Sequence, residues 1–269
     1  MTDPAGMSGY QALEIVMHGR VAQIRLCRPQ LLNRFDMILH RELERALHSA
    51  ATDANVLAVL WSSTGRVFSA GGDTEVMLEA ADNIAHRMSM LDEGRRLFRS
   101  VADFPKPLVV ALAGDSYGLS TSLVLACDAI VSSPAVKFSD PHVQMGLVAG
   151  DGGTVAWPSA MGMVRAKRHL LTGDPMSAAD AYRMGIVTDL VDEPAQVEAC
   201  AQALAQKMAS LPPIAVQLTK RALNKALMSR VDEALDLAFY LEGLSFGTED
   251  LREAVAAFKE KRKGVWKGR

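Results

Sequence analysis

The sequence predicts an α/β protein in which strands and helices alternate up to about Val191, with helices alone from Pro194 onward. Three observations carry that reading. Short apolar runs of strand length (LAVLWS from Leu57, PLVVALAG from Pro107, DAIVSS from Asp128) are separated by segments whose apolar residues return every three or four positions. Beyond Pro194 only the helical period remains. Finally, 269 residues of which 49% are apolar are enough to furnish a sizeable core. The expected division is an α/β core over 1–193 and a helical region over 194–269.

In chain order, LEIVMHG and VAQIRLCR form a hairpin turning at His18-Gly19-Arg20, and Pro29 ends its second strand because it has no N–H for the ladder. A helix starts near Asp36, with Phe35, Leu39, Leu43, Ala46 and Leu47 on one face. Leu57 to Ser62 is a strand. VFSAGGD leads into a helix that Asp73 caps, since its carboxylate accepts the free N–H groups of a first turn. Ile84 to Val101 is helical, and Pro105 and Pro107 break it before the buried strand PLVVALAG. Tyr117 to Ala129 reads as a buried helix, followed by strands DAIVSS and AVKF. Helices are expected at Thr154–Met161, Val164–Leu171 and Ser177–Met184, then a strand at IVTDLV. The tail reads as helices over 195–211, Pro213–Met228, Val231–Ser245 and 248–261, the last from a Thr-Glu-Asp cap.

A formal net charge of −2 and a pI near 6.3 provide no global field for nucleic acid or an anionic membrane. Cys27, Cys127 and Cys200 are odd in number and widely spaced, which fits neither a disulfide framework nor a zinc site and points to a reducing compartment. The N-terminus has an early acid and no apolar core, so a cytoplasmic protein with no secretory signal is expected. No GxxxxGK[ST] occurs and no GxGxxG follows the first strand, which disfavours nucleotide triphosphates and dinucleotides. The histidines are not spaced for a metal; His40 and His48 read as a solvated, charged helix face.

Three stretches carry chemistry. Gly114-Asp115-Ser116-Tyr117-Gly118 is a GxSxG between a strand and a helix, the context of a nucleophile elbow, and Ser116, Asp151 and His169 could be threaded into a triad. No histidine follows His169, where such an arrangement normally supplies one. Phe68 to Asp73 and Gly114 to Ser122 are both small-residue turns entering helices, and two helix starts aimed at one point make a two-donor oxyanion hole. Phe138 to Thr154 (FSDPHVQMGLVAGDGGT) sets His142 and Asp151 in a run of apolar residues and glycine.

With these segments in hand, VAQIRLCRPQLLNRFD, GRVFSAGGDTEVM, AGDSYGLSTSLVLACDAIV, GLVAGDGGT, LLTGDPMSAADAYRMGIVTDLV and AFKEKRKGVWKG follow one another as in the crotonase superfamily. The chain resembles enoyl-CoA hydratases, isomerases and related acyl-CoA enzymes over nearly its whole length. The resemblance implies a crotonase (ClpP-like) spiral of ββα units whose helical C-terminal region mediates a homotrimer or a dimer of trimers. It implies an acyl-CoA thioester as substrate, with no further cofactor, its carbonyl held by the amides of Gly72 and Leu119. It places Arg28, Gln30, Leu32 and Ala70 in the CoA-binding region, with Lys259 and Lys263 near the CoA phosphates.

The same comparison exposes a departure. The two glutamates with which hydratases of this family place water and deliver a proton fall at Ser122 and His142. Asp151 matches the catalytic aspartate of dienoyl-CoA isomerases, and its spacing from His142 resembles that in oxocamphor hydrolase, a relative that cleaves a carbon–carbon bond. The expectation is an enolate-forming acyl-CoA enzyme using His142 and Asp151. The alternatives are hydrolysis of a β-diketone or β-ketoacyl substrate, a serine esterase built on Ser116, and a non-catalytic acyl-CoA binder.

Overall fold

The computed structural model describes residues 9–269, so part of the N-terminal lead read above lies outside the described residues. The chain opens with the expected hairpin, β1 (Leu13–His18) and β2 (Val21–Leu26), paired antiparallel. Helix α1 (Met37–Thr52) follows, capped by the Asp36 carboxylate, which accepts the Leu39 N–H. Three successive strand pairs come next: β3 (Ala58–Ser63) with β4 (Val67–Ser69), β5 (Leu108–Leu112) with β6 (Asp115–Tyr117), and β7 (Ala129–Ser132) with β8 (Lys137–Ser139).

Each pair is followed by helix: α2 (Thr74–Asp82) and α3 (Ile84–Ala102) after the first, α4 (Leu119–Leu125) after the second, α5 (Gly153–Met161) and α6 (Met163–Leu170) after the third. With two later strands, β9 (Met176–Ser177) and β10 (Asp189–Leu190), the first strand of every pair joins one six-stranded sheet, in the order β1-β2-β3-β5-β7-β10, and the second joins a four-stranded sheet, β4-β6-β8-β9. Pairing from β2 to β10 and from β4 to β8 is parallel throughout. Repeating strand, strand, helix with a one-strand advance per turn is a spiral, as expected.

Alternation along the buried strands decides what each sheet face packs against. Ala22, Ile24, Val59, Trp61, Val110 and Ile130 point into the main core with α1, α3, α4 and α5. Their neighbours Val21, Ala58, Leu60, Val109, Ala111 and Val131 point the other way, against Val197, Ala201 and Ala205 of α8 (Pro194–Ala209). The small residues of α8 let it lie close on the sheet.

Several elements differ from the sequence reading. The span 117–129 is not one helix: β6 occupies Asp115–Tyr117, and α4 covers only Leu119–Leu125. Strand β9 (Met176–Ser177), which pairs with β8, was too short to leave a periodic signal. Helix α7 (Ala178–Arg183) follows it with Ser177 as cap, and the strand expected at IVTDLV contracts to β10 (Asp189–Leu190). The two helices expected either side of residue 230 are one, α9 (Pro213–Ser245), because nothing between Met228 and Val231 breaks a helix. Helix α10 (Glu249–Glu260) ends the fold from its Thr248 cap.

Helix α9 is tied down by a buried cation: Lys220 Nζ donates to Asp128 Oδ2 at 2.6 Å and to the Lys106 carbonyl at 2.8 Å. Its later turns, with Phe239 and Glu242 buried, run back over α3 and α5. No helix among the described residues is long and apolar enough to cross a membrane.

If α8 is part of the folding unit, deleting bulk beneath it destabilises the whole domain. Leu60→Ala is expected to cost about 2–5 kcal/mol, read as a lower urea midpoint with an unchanged slope. A change confined to a minor early transition would contradict this packing.

Candidate active site

The two turns flagged as possible oxyanion donors do converge. The loop after β4 passes so close to the end of β6 that a Cβ on Gly71, whose φ is +83°, would lie 2.7 Å from the Tyr117 carbonyl oxygen. Only glycine permits that approach. It brings Gly72, next in the chain, beside the Gly118–Leu119 entrance to α4. Neither the Gly72 nor the Leu119 N–H makes a loop or cap hydrogen bond among the described residues, and Leu119, as first residue of α4, has no acceptor within its own helix.

His142 and Asp151 are brought to the same place by the segment between β8 and α5. The end of β8 is fixed to the end of β6, where the Gly118 N–H donates to the Ser139 carbonyl at 2.9 Å. Asp140 and Pro141 then lead into a 3-10 turn at His142–Met145. The chain reverses through Asp151 into Gly152, whose φ of +109° and whose contact with Phe98 exclude any side chain: a Cβ there would sit 2.1 Å from the Phe98 ring. Phe98 of α3 thus fixes where Asp151 stands.

The resulting cluster contains one group that the sequence reading missed. His142 Nδ1 is hydrogen-bonded to Asp140 Oδ1, and His142 Nε2 lies 3.1 Å from Asp151 Oδ2. All three side chains are buried. Burial acts to push the imidazole down, but the two carboxylates outweigh it and hold His142 well above its ordinary value, as an imidazolium. Asp140 precedes a proline in an unremarkable turn, so only the three-dimensional pairing reveals it.

A fourth member comes from the C-terminal region. Glu242 of α9 packs against the backbone beside Asp151; a Cβ on Gly150 would lie 2.8 Å from Glu242 Oε2. Burial first, then the charge of Asp151, pushes its carboxyl well above the usual range despite the opposing pull of His142. Glu242 is therefore a neutral acid. Its Oε2, like Asp151 Oδ1, is buried without a hydrogen-bond partner among the described residues.

These groups sit where two cavities meet. An inner cavity of about 60 Å³ is lined by Gly72, Leu119, His142, Asp151, Glu242 and His40 among apolar side chains. An outer cleft of about 670 Å³ shares Gly72, Asp73, Met77 and His142 with it, and is lined further out by Gln30, Leu32, Ala70 and Phe258.

The remaining sequence candidates separate clearly. Gln30, Leu32 and Ala70 are at the cleft. Arg28 is not: it turns inward to Asp36, with hydrogen bonds of 2.7 and 2.8 Å. Lys259 pairs with Glu75 at 2.6 Å, and Lys263 is exposed; neither lines the cleft. Ser122 is fully buried but lines neither cavity, so the first glutamate position supplies no group to the site.

Two readings are corrected. Ser116 is fully buried in β6, donating to Ser120 Oγ at 2.9 Å and accepting from Thr121 Oγ1 at 3.1 Å, while His169 Nδ1 faces the Asp174 carbonyl. The esterase triad of Ser116, Asp151 and His169 is not assembled. His40 is not on a solvated face: it packs edge-on to Phe35, and burial pushes it down to about 4. His48 is exposed, as expected.

Asp140, His142 and Asp151 each offer an atom that could approach a cation, all within 4.8 Å. An imidazolium held by a carboxylate at each nitrogen has no lone pair to give, so the arrangement fits proton transfer better than metal ligation.

A family model described as enoyl-CoA hydratase/isomerase matches residues 17–269. Among curated proteins, a probable enoyl-CoA hydratase of Rhizobium meliloti is 34% identical over 260 residues, 97% of this chain and 99% of its own. The 1,2-epoxyphenylacetyl-CoA isomerase of Escherichia coli is 31% identical over 251 residues, 93% of this chain and 95% of its own. Among solved structures, an enoyl-CoA hydratase/isomerase from Mycobacterium paratuberculosis superposes with a TM-score of 0.87 at 36% identity, covering 91% of this chain and 97% of that one.

The charge state of His142 is open to direct measurement. Its folded-state pKa lies above the value of about 6.5 expected when unfolded, so its contribution to stability is complete below that value and fades as pH rises through the raised pKa. Asp140→Asn is expected to move the His142 titration, followed by imidazole nitrogen NMR, back toward the ordinary value, and to remove part of the alkaline loss of stability. An unmoved titration would contradict the assigned pairing.

Proposed function

The chain belongs to the enoyl-CoA hydratase/isomerase family, and from that premise we propose that it acts on an acyl-CoA thioester through an enolate stabilised by the Gly72 and Leu119 amides, with Asp151 and His142 moving the proton. One observation carries this reading: the two free amides and the His142–Asp151 pair line a single small cavity at the inner end of a cleft.

CoA lies along the outer cleft past Gln30, Leu32 and Ala70, with its thioester at the wall the two cavities share. The carbonyl oxygen faces the two N–H donors, which gain most when it becomes an oxyanion. Both nitrogens of His142 face carboxylates, so the atom left open for the substrate is Asp151 Oδ1. Asp151 takes a proton from the α-carbon, or from a water adding to the β-carbon. In either case an electron pair moves onto the thioester oxygen. His142, held by Asp140, balances the carboxylates as charge shifts; protonated at both nitrogens, it can lend its Nε2 proton to Asp151 and take it back, while a proton that Asp151 removes at Oδ1 returns to the substrate from Asp151 itself. Reprotonation of the enolate at another carbon gives isomerisation; reprotonation at the α-carbon after water has added gives hydration.

Hydrolysis of a β-ketoacyl thioester is the second reading. The leaving carbon fragment there is itself a thioester enolate, so the same two amides serve, and the His–Asp pair activates the attacking water. Two glutamates facing each other across the substrate are not required in any of these routes, which is consistent with Ser122 lying outside the cavity.

Assembly belongs to the same proposal. The exposed apolar residues of α9 (Leu218, Leu237, Tyr240, Leu244) and of the C-terminal segment (Phe258, Trp266) form the face for a homotrimer or a dimer of trimers.

Mass-spectrometric product detection against enoyl-, dienoyl- and β-ketoacyl-CoA esters identifies the branch. With the substrate so found, Asp151→Asn is expected to lower kcat by about 10²–10⁴-fold, the usual range for a positioned acid–base group, with ester binding retained. Turnover by Asp151→Asn and His142→Ala equal to that of the unaltered protein would remove both residues from the mechanism.

A further inference from the structure

The inner cavity carries more polarity than enolate chemistry at its mouth requires. Phe35, Met90, Leu91 and Phe246 give it apolar walls, yet His40 of α1 and Glu242 of α9 also line it. His40 is 8% exposed with Nδ1 fully buried, and Glu242 is 5% exposed with Oε2 fully buried. Neither atom has a hydrogen-bond partner among the described residues. A buried polar atom left unpaired is costly, because it has given up its hydrogen bonds to water and gained none. Leucine or phenylalanine at both positions would finish an apolar pocket without that cost, so a cavity made for a plain alkyl chain has no use for either group.

We propose that the acyl group this protein accepts is short and carries an uncharged oxygen beyond its β-carbon, a ketone or hydroxyl received between His40 and Glu242. This rests on the acyl-CoA reading above. Size limits the chain: a water-sized group takes about 10–15 Å³ of such space, so 60 Å³ leaves room for a terminus of about four to six non-hydrogen atoms. Charge limits the oxygen. No arginine or lysine among the described residues lines the cavity, and Asp151 and His142 already face each other across its mouth, so a terminal carboxylate would be buried without a partner. The two polar groups are themselves neutral, His40 pushed down to about 4 and Glu242 held protonated by burial. A neutral acid donates, and a neutral imidazole donates from one nitrogen and accepts at the other, which matches a carbonyl or a hydroxyl.

The test compares two saturated probes, pentanoyl-CoA and 4-oxopentanoyl-CoA, which have no double bond to hydrate or shift and differ only in a carbonyl at the fourth carbon, by calorimetry. The unaltered protein is expected to bind the keto ester at least tenfold more tightly. That preference should fall to within twofold in His40→Leu and in Glu242→Leu, while pentanoyl-CoA binds each variant as well as before, which also verifies that the variants fold. Equal binding of the two esters, or a preference that survives both substitutions, overturns the inference and leaves the acyl-CoA reading standing. If neither ester nor CoA itself bound the unaltered protein, the acyl-CoA reading would fall and this inference with it.

Discussion

Between β8 and α5 the chain takes two carboxylates and an imidazole out of water within a dozen residues. Even after relaxation an ion removed from water costs several kcal/mol, and what makes the burial tolerable here is mutual: Asp140 and Asp151 each face one nitrogen of His142. The cluster carries one negative charge more than it balances. Burial, reinforced by the charge of Asp151, keeps Glu242 protonated beside it. Remove His142 and two carboxylates are left as uncompensated buried charge, so the position of every element that touches this segment is constrained by it.

The spiral supplies those constraints. Parallel strands β4, β6 and β8 end side by side, so the loops that follow them meet at one place although they are far apart in sequence. Two of those loops present amides and the third presents the charged cluster. Phe98 of α3 presses on Gly152 from behind, and α9, anchored at its start by Lys220, returns to deliver Glu242 and Phe239 to the cavity. The helical C-terminal region therefore completes the site as well as covering the core.

Much of this was legible in the sequence. Apolar runs of strand length gave most of the sheet, the apolar period gave the helix near Asp36, and Asp73, Ser177 and Thr248 marked three helix starts by the chemistry of capping. Two small-residue turns entering helices suggested an oxyanion hole, and the resemblance to the crotonase superfamily placed Gly72, Leu119, His142 and Asp151 in one site. What stayed hidden depends on packing between distant segments. Asp140 is an ordinary turn residue until its carboxylate is seen against His142. His40 has charged neighbours in sequence, yet its own face of α1 turns inward. Glu242 lies a hundred residues beyond His142 on a helix whose pattern is unexceptional, and Arg28 was drawn inward by Asp36, a contact that sequence spacing permits but does not require.

The central claim is that these groups generate a thioester enolate, and proton exchange tests it without knowledge of the natural substrate. Incubating butanoyl-CoA with the protein in D2O should place deuterium at the α-carbon, because removal and return of that proton needs only the oxyanion donors and Asp151. Exchange should vanish in Asp151→Asn. No exchange with the unaltered protein, or exchange at an undiminished rate in Asp151→Asn, would contradict the account.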